Sequence, residues 1–151
     1  MAMERHCTAI LNAAPAQAGL TTMLRQATWL VVNEVEAEQL GACPVRDIPD
    51  AVTAATMLCV GSQRVVLTLG ARGAVIVNDD GPLHVPALAV DVVDTTAAGD
   101  AFVGALGATL QRGASDRDAV HAAVVAGSLA CTRTGALPSL PTAADVLARR
   151  T

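Results

Sequence analysis

Short apolar runs alternate with longer segments of helix-forming composition along most of this 151-residue chain. Such runs are typical of strands in a parallel sheet, because both faces of that sheet are covered. We expect strands at 8–11, 29–32, 64–69 and 74–77, and an extended segment at 83–93 that a proline interrupts. We expect helices at 21–27, 33–40, 48–60, 98–111, 117–132 and 143–150.

This alternation predicts a layered α/β fold with a mostly parallel sheet, built as a single domain over residues 1–151. The segment 70–73 is a glycine-rich turn, which makes 74–77 the hairpin partner of the strand before it. Ligands of open parallel sheets bind beyond the carboxyl ends of the strands. We therefore expect Asn12, Asn33, 68–73 and 94–100 to converge on one rim.

Composition excludes several kinds of partner. Hydrophobic residues make up 52% of the chain, but aromatic residues only 1%, so there are few platforms on which nucleic-acid bases could stack. The formal net charge of −4 also argues against nucleic acid and membrane surfaces as partners. The first residues contain no apolar signal core, and longer apolar stretches are broken by glycine or polar residues. We expect a cytoplasmic protein.

The chain contains no lysine, since all ten of its basic residues are arginines. A Walker-A loop, a protein kinase and Schiff-base chemistry each require a lysine, so all three are excluded. The four cysteines are scattered and match no zinc spacing, which predicts ordinary free thiols. The three histidines lie outside any triad pattern.

The strongest candidate for chemistry is the heptapeptide from Asp94 to Asp100, where a β-branched run passes into a helical segment. Small residues let a ligand approach the backbone, and the first N–H groups of a helix attract anions. This pattern predicts an anion cradle at 97–100 with Asp100 as a general base. The alternative is that Asp94 or Thr96 caps the helix and the small residues merely pack closely.

Three further segments each allow a structural and a functional interpretation. Asn33 and Glu36 match a capping box, or they order Mg²⁺, which prefers oxygen ligands. The segment 68–73 is a hairpin turn, or its backbone lines a nucleotide. The segment 133–139 is a loop that ends a helix, or its carbonyl and hydroxyl oxygens coordinate a monovalent cation.

Five motifs occur in the order found in one family of enzymes. They are Ile-Leu-Asn-Ala-Ala-Pro-Ala at 10–16, Asn-Glu-Val-Glu at 33–36, Thr-Leu-Gly-Ala-Arg-Gly at 68–73, Asp-Thr-Thr-Ala-Ala-Gly-Asp at 94–100, and Thr-Arg-Thr-Gly-Ala-Leu-Pro-Ser at 132–139. Together they resemble the ribokinase (PfkB) family of carbohydrate kinases, over about residues 8 to 148. The resemblance implies that family's α/β/α fold and phosphorylation of a sugar, most simply D-ribose to ribose 5-phosphate, by ATP.

The resemblance also implies roles for individual residues. Asp100 would take the proton of the attacking hydroxyl, while backbone N–H groups of Ala97, Ala98, Gly99 and Asp100 stabilise the developing charge. Mg²⁺ would be ordered by Glu36 and Asn33. The nucleotide would be bordered by Asn33, Thr68, Gly70, Ala71, Arg72, Gly73, Gly99, Asp100 and Val124. Activating K⁺ would be surrounded by Asp94, Thr96, Ala130, Arg133, Gly135 and Ser139.

Members of this family are about twice as long, and this chain resembles their C-terminal, nucleotide-side half. The sugar-binding N-terminal half and its lid are not among the matched motifs. We therefore expect weak nucleotide binding and little turnover from the chain alone, with a complementing N-terminal half or a second copy as a partner. The alternative functions are a non-catalytic nucleotide-binding module, an inactive kinase remnant and a small homo-oligomeric structural domain.

Overall fold

A computed structural model describes residues 7–16 and 21–149. Five strands form one sheet in the order β1-β2-β3-β4-β5. The strands are β1 (Ile10–Asn12), β2 (Trp29–Asn33), β3 (Arg64–Thr68), β4 (Ala74–Asn78) and β5 (Gly81–Val85). The helices are α1 (Thr21–Gln26), α2 (Glu34–Gln39), α3 (Ile48–Leu58), α4 (Ala98–Gln111), α5 (Asp116–Ala130) and α6 (Ala143–Leu147). Two short 3₁₀ turns cover Gly70–Arg72 and Leu137–Ser139.

The chain divides into two compact units. The first contains residues 1–69 and 74–84, and the second contains residues 70–73 and 85–151. The expectation of a single domain over the whole chain stays a prediction.

The sheet is mixed. Strands β1, β2 and β3 run parallel, and β4 pairs antiparallel with β3. The hairpin predicted at 70–73 is therefore confirmed. The carboxyl ends of the three parallel strands, Asn12, Asn33 and Thr68, lie at the same edge of the sheet, as expected from their positions in the sequence. The parallel pattern ends at β4, because a turn as short as 69–73 can join only antiparallel neighbours.

The core of the first unit lies where α3 packs on the sheet. The buried strand residues include Leu30, Val65 and Val75, which are almost entirely shielded from solvent. Helix α3 contributes only alanines to its fully buried face, at positions 51, 54 and 55. Small residues at this helical spacing let the helix axis approach the sheet closely. Because the core has few large aromatic side chains to fill space, this short distance is needed for close packing.

The second unit is built around α4 and α5. A Cβ atom at Gly127 of α5 would lie 3.3 Å from the carbonyl oxygen of Ala98, so this glycine lets α5 approach the first turn of α4. The predicted extended segment 83–93 is a strand only as far as Val85. Beyond it, the backbone N–H of Leu88 donates to the hydroxyl of Ser128 on α5 at 3.2 Å. This contact replaces strand pairing.

Every predicted helix except α4 begins or ends at a different residue in the structure. Helix α3 stops at Leu58 instead of residue 60, because the next residue, Cys59, has an extended backbone. Helix α5 starts earlier, at Asp116, because the Ser115 side chain caps it. Helix α6 ends at Leu147, and the predicted end at residue 150 lies outside the described residues. In the described part of the chain, no helix has the length and apolar character that a membrane span requires.

Candidate active site

The N-terminus of α4 begins with a strained residue. Ala97 adopts a left-handed conformation with φ of 61° and ψ of 9°, and it is the one non-glycine residue with positive φ in 7–16 and 21–149. An alanine in this region costs roughly 1 kcal/mol or more. Ala97 is the residue that precedes the helix, and its side chain caps nothing. The alternative that Asp94 or Thr96 caps α4 is therefore wrong.

Several N–H groups at this junction are free to bind an anion. The N–H of Ala98 donates to the carbonyl of Thr95 at 3.2 Å, and that of Ala101 to the carbonyl of Ala97 at 2.9 Å. Within the described residues, the N–H groups of Ala97, Gly99 and Asp100 have no hydrogen-bond acceptor. A left-handed residue followed by right-handed ones turns successive N–H groups toward one concave surface, which is typical of anion-binding turns.

Asp100 lies in the first turn of α4 and its side chain is exposed. It lines one end of a cavity of about 460 Å³ within the second unit, whose walls come from α4, α5 and the segment that includes α6. A carboxylate in the first turn stabilises a helix through its dipole, so Asp100 also has a structural role. Its accessibility beside the free N–H groups is what a general base at an anion site requires.

Asp94 is held by three hydrogen bonds. Its Oδ1 accepts from the backbone N–H of Thr96 at 2.9 Å and from the Thr96 hydroxyl at 2.6 Å. Its Oδ2 accepts from the backbone N–H of Gly135 at 2.9 Å. These bonds, above all the one from the Thr96 hydroxyl, lower the pKa of Asp94 to about 2. The carboxylate is therefore charged at neutral pH and keeps lone pairs for a cation.

The loop after α5 surrounds Asp94 with main-chain groups. The carbonyl of Cys131 accepts from the N–H groups of both Val93 and Asp94, at 2.8 and 3.2 Å. Gly135 reaches the carboxylate of Asp94 with a φ of 90°, which favours glycine. Burial, and after it the charge of Asp94, raises the pKa of the Cys131 thiol.

Six residues are predicted to surround a K⁺ ion, and the structure brings three of them into direct contact. Asp94, Thr96 and Gly135 form one hydrogen-bonded group. The backbone N–H of Arg133 donates to the carbonyl of Ala130 at 3.4 Å. Ser139, the sixth residue, is buried, and its hydroxyl donates to the carbonyl of Ala136 at 2.8 Å. The contacts of Asp94, Thr96, Ala130 and Ser139 are made through oxygen atoms, whereas Arg133 and Gly135 contribute backbone N–H donors.

In the first unit, Asn33 and Glu36 form the predicted capping box. The Asn33 Oδ1 accepts from the N–H of Glu36, and the Glu36 Oε2 accepts from the N–H of Asn33, both at 2.8 Å. Glu36 is largely buried, with 8% of its surface exposed. The capping box uses only Oε2 of Glu36, so the other carboxylate oxygen can still bind Mg²⁺. Within the described ranges, no group of three or more metal-binding His, Cys, Asp or Glu side chains occurs.

The predicted nucleotide segment 68–73 has structural constraints of its own. Thr68 pairs with Asn33 in the register of β2 and β3, and its hydroxyl donates to the carbonyl of Val32 at 3.3 Å. In the second unit, Gly73 has a φ of 89°, and a Cβ there would lie only 2.0 Å from the carbonyl oxygen of Val85. Glycine is therefore required at 73 by packing alone. A role of Gly70, Ala71 and Arg72 beside ATP stays a prediction.

The remaining predicted nucleotide contact is buried. Val124 on α5 has 5% of its surface exposed, and its carbonyl accepts the Ser128 hydroxyl at 2.9 Å. Sequence reasoning named Val124 and Ala130 of α5 but missed Cys131, the residue after α5, whose carbonyl accepts from the N–H groups of Val93 and Asp94. A main-chain carbonyl leaves no signal in sequence, so the Cys131 contact could not have been found there.

Comparison with known proteins places this geometry in a family. Residues 2–143 match the pfkB family of carbohydrate kinases. A ribokinase of Staphylococcus aureus (strain COL) is 34% identical over 141 residues, covering 92% of this chain and 46% of that protein. The structure of Arabidopsis thaliana ribokinase with ribose and ATP is similar with a TM-score of 0.82 and 27% identity, covering 96% of this chain and 48% of that one.

A second solved structure extends the likeness to a different kinase. Phosphofructokinase-2 of Escherichia coli, in complex with potassium, has a TM-score of 0.83 and 27% identity, covering 97% of this chain and 48% of that one. The α/β fold is therefore of the ribokinase type. The chain belongs to the pfkB family of carbohydrate kinases. It spans about half the length of the curated relatives that it matches.

Proposed function

We propose that this chain forms the nucleotide-binding and phosphoryl-transfer part of an ATP-dependent sugar kinase. The observation that carries the proposal is the start of α4, where the N–H groups of Ala97, Gly99 and Asp100 are unpaired and the Asp100 carboxylate is exposed. An anion site beside a potential base suits phosphoryl transfer, in which positioning and electrostatic stabilisation do most of the work.

In the proposed reaction, Asp100 accepts the proton of a sugar hydroxyl. The hydroxyl oxygen forms a bond to the γ-phosphorus of ATP, the bond from that phosphorus to the bridging oxygen breaks, and ADP leaves. The free N–H groups of Ala97, Gly99 and Asp100 stabilise the negative charge on the transferred group. Ala98 has a smaller share, because its N–H already donates to Thr95. A helix N-terminus thus supplies the positive field in a chain without lysine.

The oxygen donors of both predicted ion sites fit their ions. We propose that Glu36 and Asn33 hold Mg²⁺, since carboxylate and amide oxygens are the ligands it prefers. We propose that K⁺ is held around Asp94 and Thr96, with Ala130, Arg133, Gly135 and Ser139 completing the loop. Bound there, the ions would neutralise phosphate charge and stiffen the turn before α4. The proposed nucleotide contacts are Asn33, Thr68, 70–73, Gly99, Asp100 and Val124.

D-ribose is the proposed acceptor. The support comes from two relatives, the ribokinase of Staphylococcus aureus and the Arabidopsis ribokinase whose structure contains ribose and ATP. Because this chain spans about half of each, its sugar contacts and its activity remain part of the proposal.

The experiment uses a chimaera in which this chain replaces the matched region of the Staphylococcus ribokinase. Phosphorylation of ribose is measured together with the Kd for ATP. Replacing Asp100 by Asn should lower kcat by about 10²–10⁴-fold, the usual contribution of a general base, with little change in ATP affinity. Asp80→Asn is the matched control, since Asp80 is an exposed carboxylate in the turn between β4 and β5.

Two other outcomes would decide against the proposal. If Asp100→Asn and Asp80→Asn are equally active, Asp100 is not the base. If the chimaera binds ATP but phosphorylates no sugar, the chain is a nucleotide-binding module. For the chain by itself we expect weak ATP binding and little turnover, so rapid sugar phosphorylation by the unpartnered chain would contradict the requirement for a second half.

A further inference from the structure

The segment that leads from β5 to Asp94 is held without regular secondary structure. It runs from Pro86 to Val93, and most of its residues are exposed. A stretch with few buried contacts and few hydrogen bonds opens more easily than the elements around it. Asp94, the carboxylate of the proposed K⁺ site, follows this segment directly. Whatever fixes the segment therefore also fixes Asp94.

Two anchors connect this segment to α5 and to the residue after it. At the end of the segment, the N–H groups of Val93 and Asp94 donate to the carbonyl of Cys131 at 2.8 and 3.2 Å. Five residues earlier, the N–H of Leu88 donates to the hydroxyl of Ser128 at 3.2 Å. The acceptor at Cys131 belongs to the main chain, whereas the acceptor at Ser128 is a side chain. Only the Ser128 anchor therefore depends on which residue stands there.

The Ser128 hydroxyl makes hydrogen bonds in both directions. It donates to the carbonyl of Val124, one turn earlier on α5, at 2.9 Å, and this bond holds the side chain in one rotamer. Its proton is used there, so a lone pair of the oxygen is left for the N–H of Leu88. The Leu88 side chain packs against the buried cluster that contains Ala101 of α4 and Ala126 of α5. Leu88 is thus held by apolar packing and by the one polar contact from Ser128.

Loss of this contact would leave the segment with the Cys131 anchor alone. The residues before Asp94 would then sample more conformations in the absence of an ion. An ion that needs Asp94 in one place must remove that freedom when it binds, and its affinity falls accordingly. The net contribution of one hydrogen bond corresponds to a change of about two- to tenfold in an equilibrium constant.

We propose that Ser128 is a positioning residue for the K⁺ site. Its hydroxyl fixes Leu88, and through Leu88 the segment that ends in Asp94, in the conformation that binds the ion. Ser128 itself lies outside the proposed contacts with K⁺, Mg²⁺ and the nucleotide. The inference rests on the proposed function, because the K⁺ site is part of that proposal.

The experiment measures K⁺ binding by the chain without any assay of activity. KCl replaces NaCl at constant ionic strength, and the Kd for K⁺ is obtained from the rise of the thermal unfolding midpoint, since an ion that binds the folded state stabilises it. Ser128→Ala should raise this Kd by about two- to tenfold. Thr56→Ala on α3 is the matched control. The Thr56 hydroxyl also donates to a carbonyl one turn earlier, that of Val52 at 2.7 Å, but it accepts no N–H group within the described residues.

Hydrogen exchange of the unsubstituted chain covers the case in which Ser128→Ala does not fold. If the Leu88 contact favours the ion, the ion must favour the Leu88 contact by the same factor. K⁺ should therefore slow exchange of the Leu88 amide as well as that of Asp94. The Gly113 amide, which donates to the carbonyl of Leu110 at the end of α4, is the control and should exchange at the same rate in KCl and NaCl.

Three results would overturn the inference while the K⁺ site stands. They are an equal Kd for K⁺ in the wild type and Ser128→Ala, an equal rise of the Kd in Ser128→Ala and Thr56→Ala, and exchange of the Leu88 amide that does not respond to K⁺. A lower midpoint of Ser128→Ala with an unchanged Kd would mean that Ser128 only supports the fold. If the wild type is no more stable in KCl than in NaCl, the proposed K⁺ site is itself wrong, and the inference is overturned with it.

Discussion

The Oδ2 atom of Asp94 accepts a hydrogen bond of 2.9 Å from the backbone N–H of Gly135, 41 residues further along the chain. The Oδ1 atom of the same carboxylate holds the turn that leads into α4, through Thr96. One side chain thus connects the loop after α5 to the start of the proposed anion site. Anything that changes the charge of Asp94 should therefore loosen both segments together.

The first prediction concerns the pH dependence of stability. The pKa of Asp94 is lowered from an ordinary 3.8 to about 2 in the folded protein, so its ionised form stabilises the fold above pH 4, and this contribution is lost as the pH falls from 4 towards 2. Asp94→Asn should lower the thermal midpoint at pH 7, because asparagine has one oxygen instead of two and its amide nitrogen accepts no hydrogen bond, so Thr96 or Gly135 loses its acceptor. The difference from the wild type should shrink between pH 4 and pH 2.

Circular dichroism melts at several pH values would measure this difference. Asp91→Asn is the control, since Asp91 is an exposed carboxylate three residues earlier. A midpoint difference for Asp94→Asn that is the same at pH 2 and pH 7 would show that the charge of Asp94 does not stabilise the loop.

The second prediction separates the two roles of Glu36. Glutamine can still accept a hydrogen bond from the N–H of Asn33 through its carbonyl oxygen, so Glu36→Gln should keep the capping box. Its free energy of unfolding should lie within about 0.5 kcal/mol of the wild-type value. Glu36→Ala leaves that N–H without its partner and should cost about 1–2 kcal/mol. If Glu36 also orders Mg²⁺, the chimaera carrying Glu36→Gln should need at least tenfold more Mg²⁺ for half-maximal activity. An unchanged Mg²⁺ requirement would mean that Glu36 only caps α2 and does not bind Mg²⁺.

Much of the fold follows from local sequence signals. Helix α4 has the predicted bounds 98–111, and the capping box at Asn33 and Glu36 matches its pattern, because both depend on residues close in the chain. The antiparallel partner of β3 was predictable from the glycine-rich turn for the same reason. By contrast, helix ends such as that at Leu58 depend on the conformation of the next residue, which composition does not determine.

The sequence and the family resemblance named candidate site residues but not the contacts between them. No local rule links Asp94 to Gly135, since the contact depends on how α5 and its loop fold back. The left-handed conformation of Ala97 was also hidden, because alanine is normally right-handed and only a fixed environment imposes the other state. The family resemblance named these positions, and the structure supplies the physical reason why Asp94 and Ala97 stand together before α4.

The third prediction uses two glycines of one turn. Gly73→Ala places a Cβ 2.0 Å from the carbonyl oxygen of Val85 in a backbone with positive φ, so it should destabilise the fold by about 3–4 kcal/mol. Gly70 also has positive φ, of 55°, but a Cβ there meets nothing within 4 Å. Gly70→Ala should therefore cost only about 1 kcal/mol. Urea unfolding would measure both, and equal costs would mean that the approach of Val85 is not what requires glycine.

The fourth prediction concerns the strain at Ala97. Ala97→Gly removes the strain of a left-handed alanine, which stabilises the folded protein by roughly 1 kcal/mol. Glycine also raises the conformational entropy of the unfolded chain, which destabilises the fold by a similar amount. The net change in the free energy of unfolding should therefore be within about 0.5 kcal/mol. Ala97→Val adds a branched side chain at positive φ and should cost about 1–2 kcal/mol. Ala108→Val, at an exposed helical position without positive φ, should cost about 0.5 kcal/mol and is the control for adding a branched side chain where the backbone is not left-handed.

The same variants test whether the strain serves binding. If the conformation of Ala97 directs its own N–H and that of Gly99 at a terminal phosphate, Ala97→Val should weaken ATP binding more than ADP binding, because only ATP carries the γ-phosphate. Ala97→Gly should keep the ratio of the two Kd values, since glycine adopts the left-handed state without cost. Calorimetric titration of the chimaera measures both nucleotides. Equal losses for ATP and ADP in Ala97→Val would mean that the turn supports the fold near the nucleotide rather than the phosphate itself.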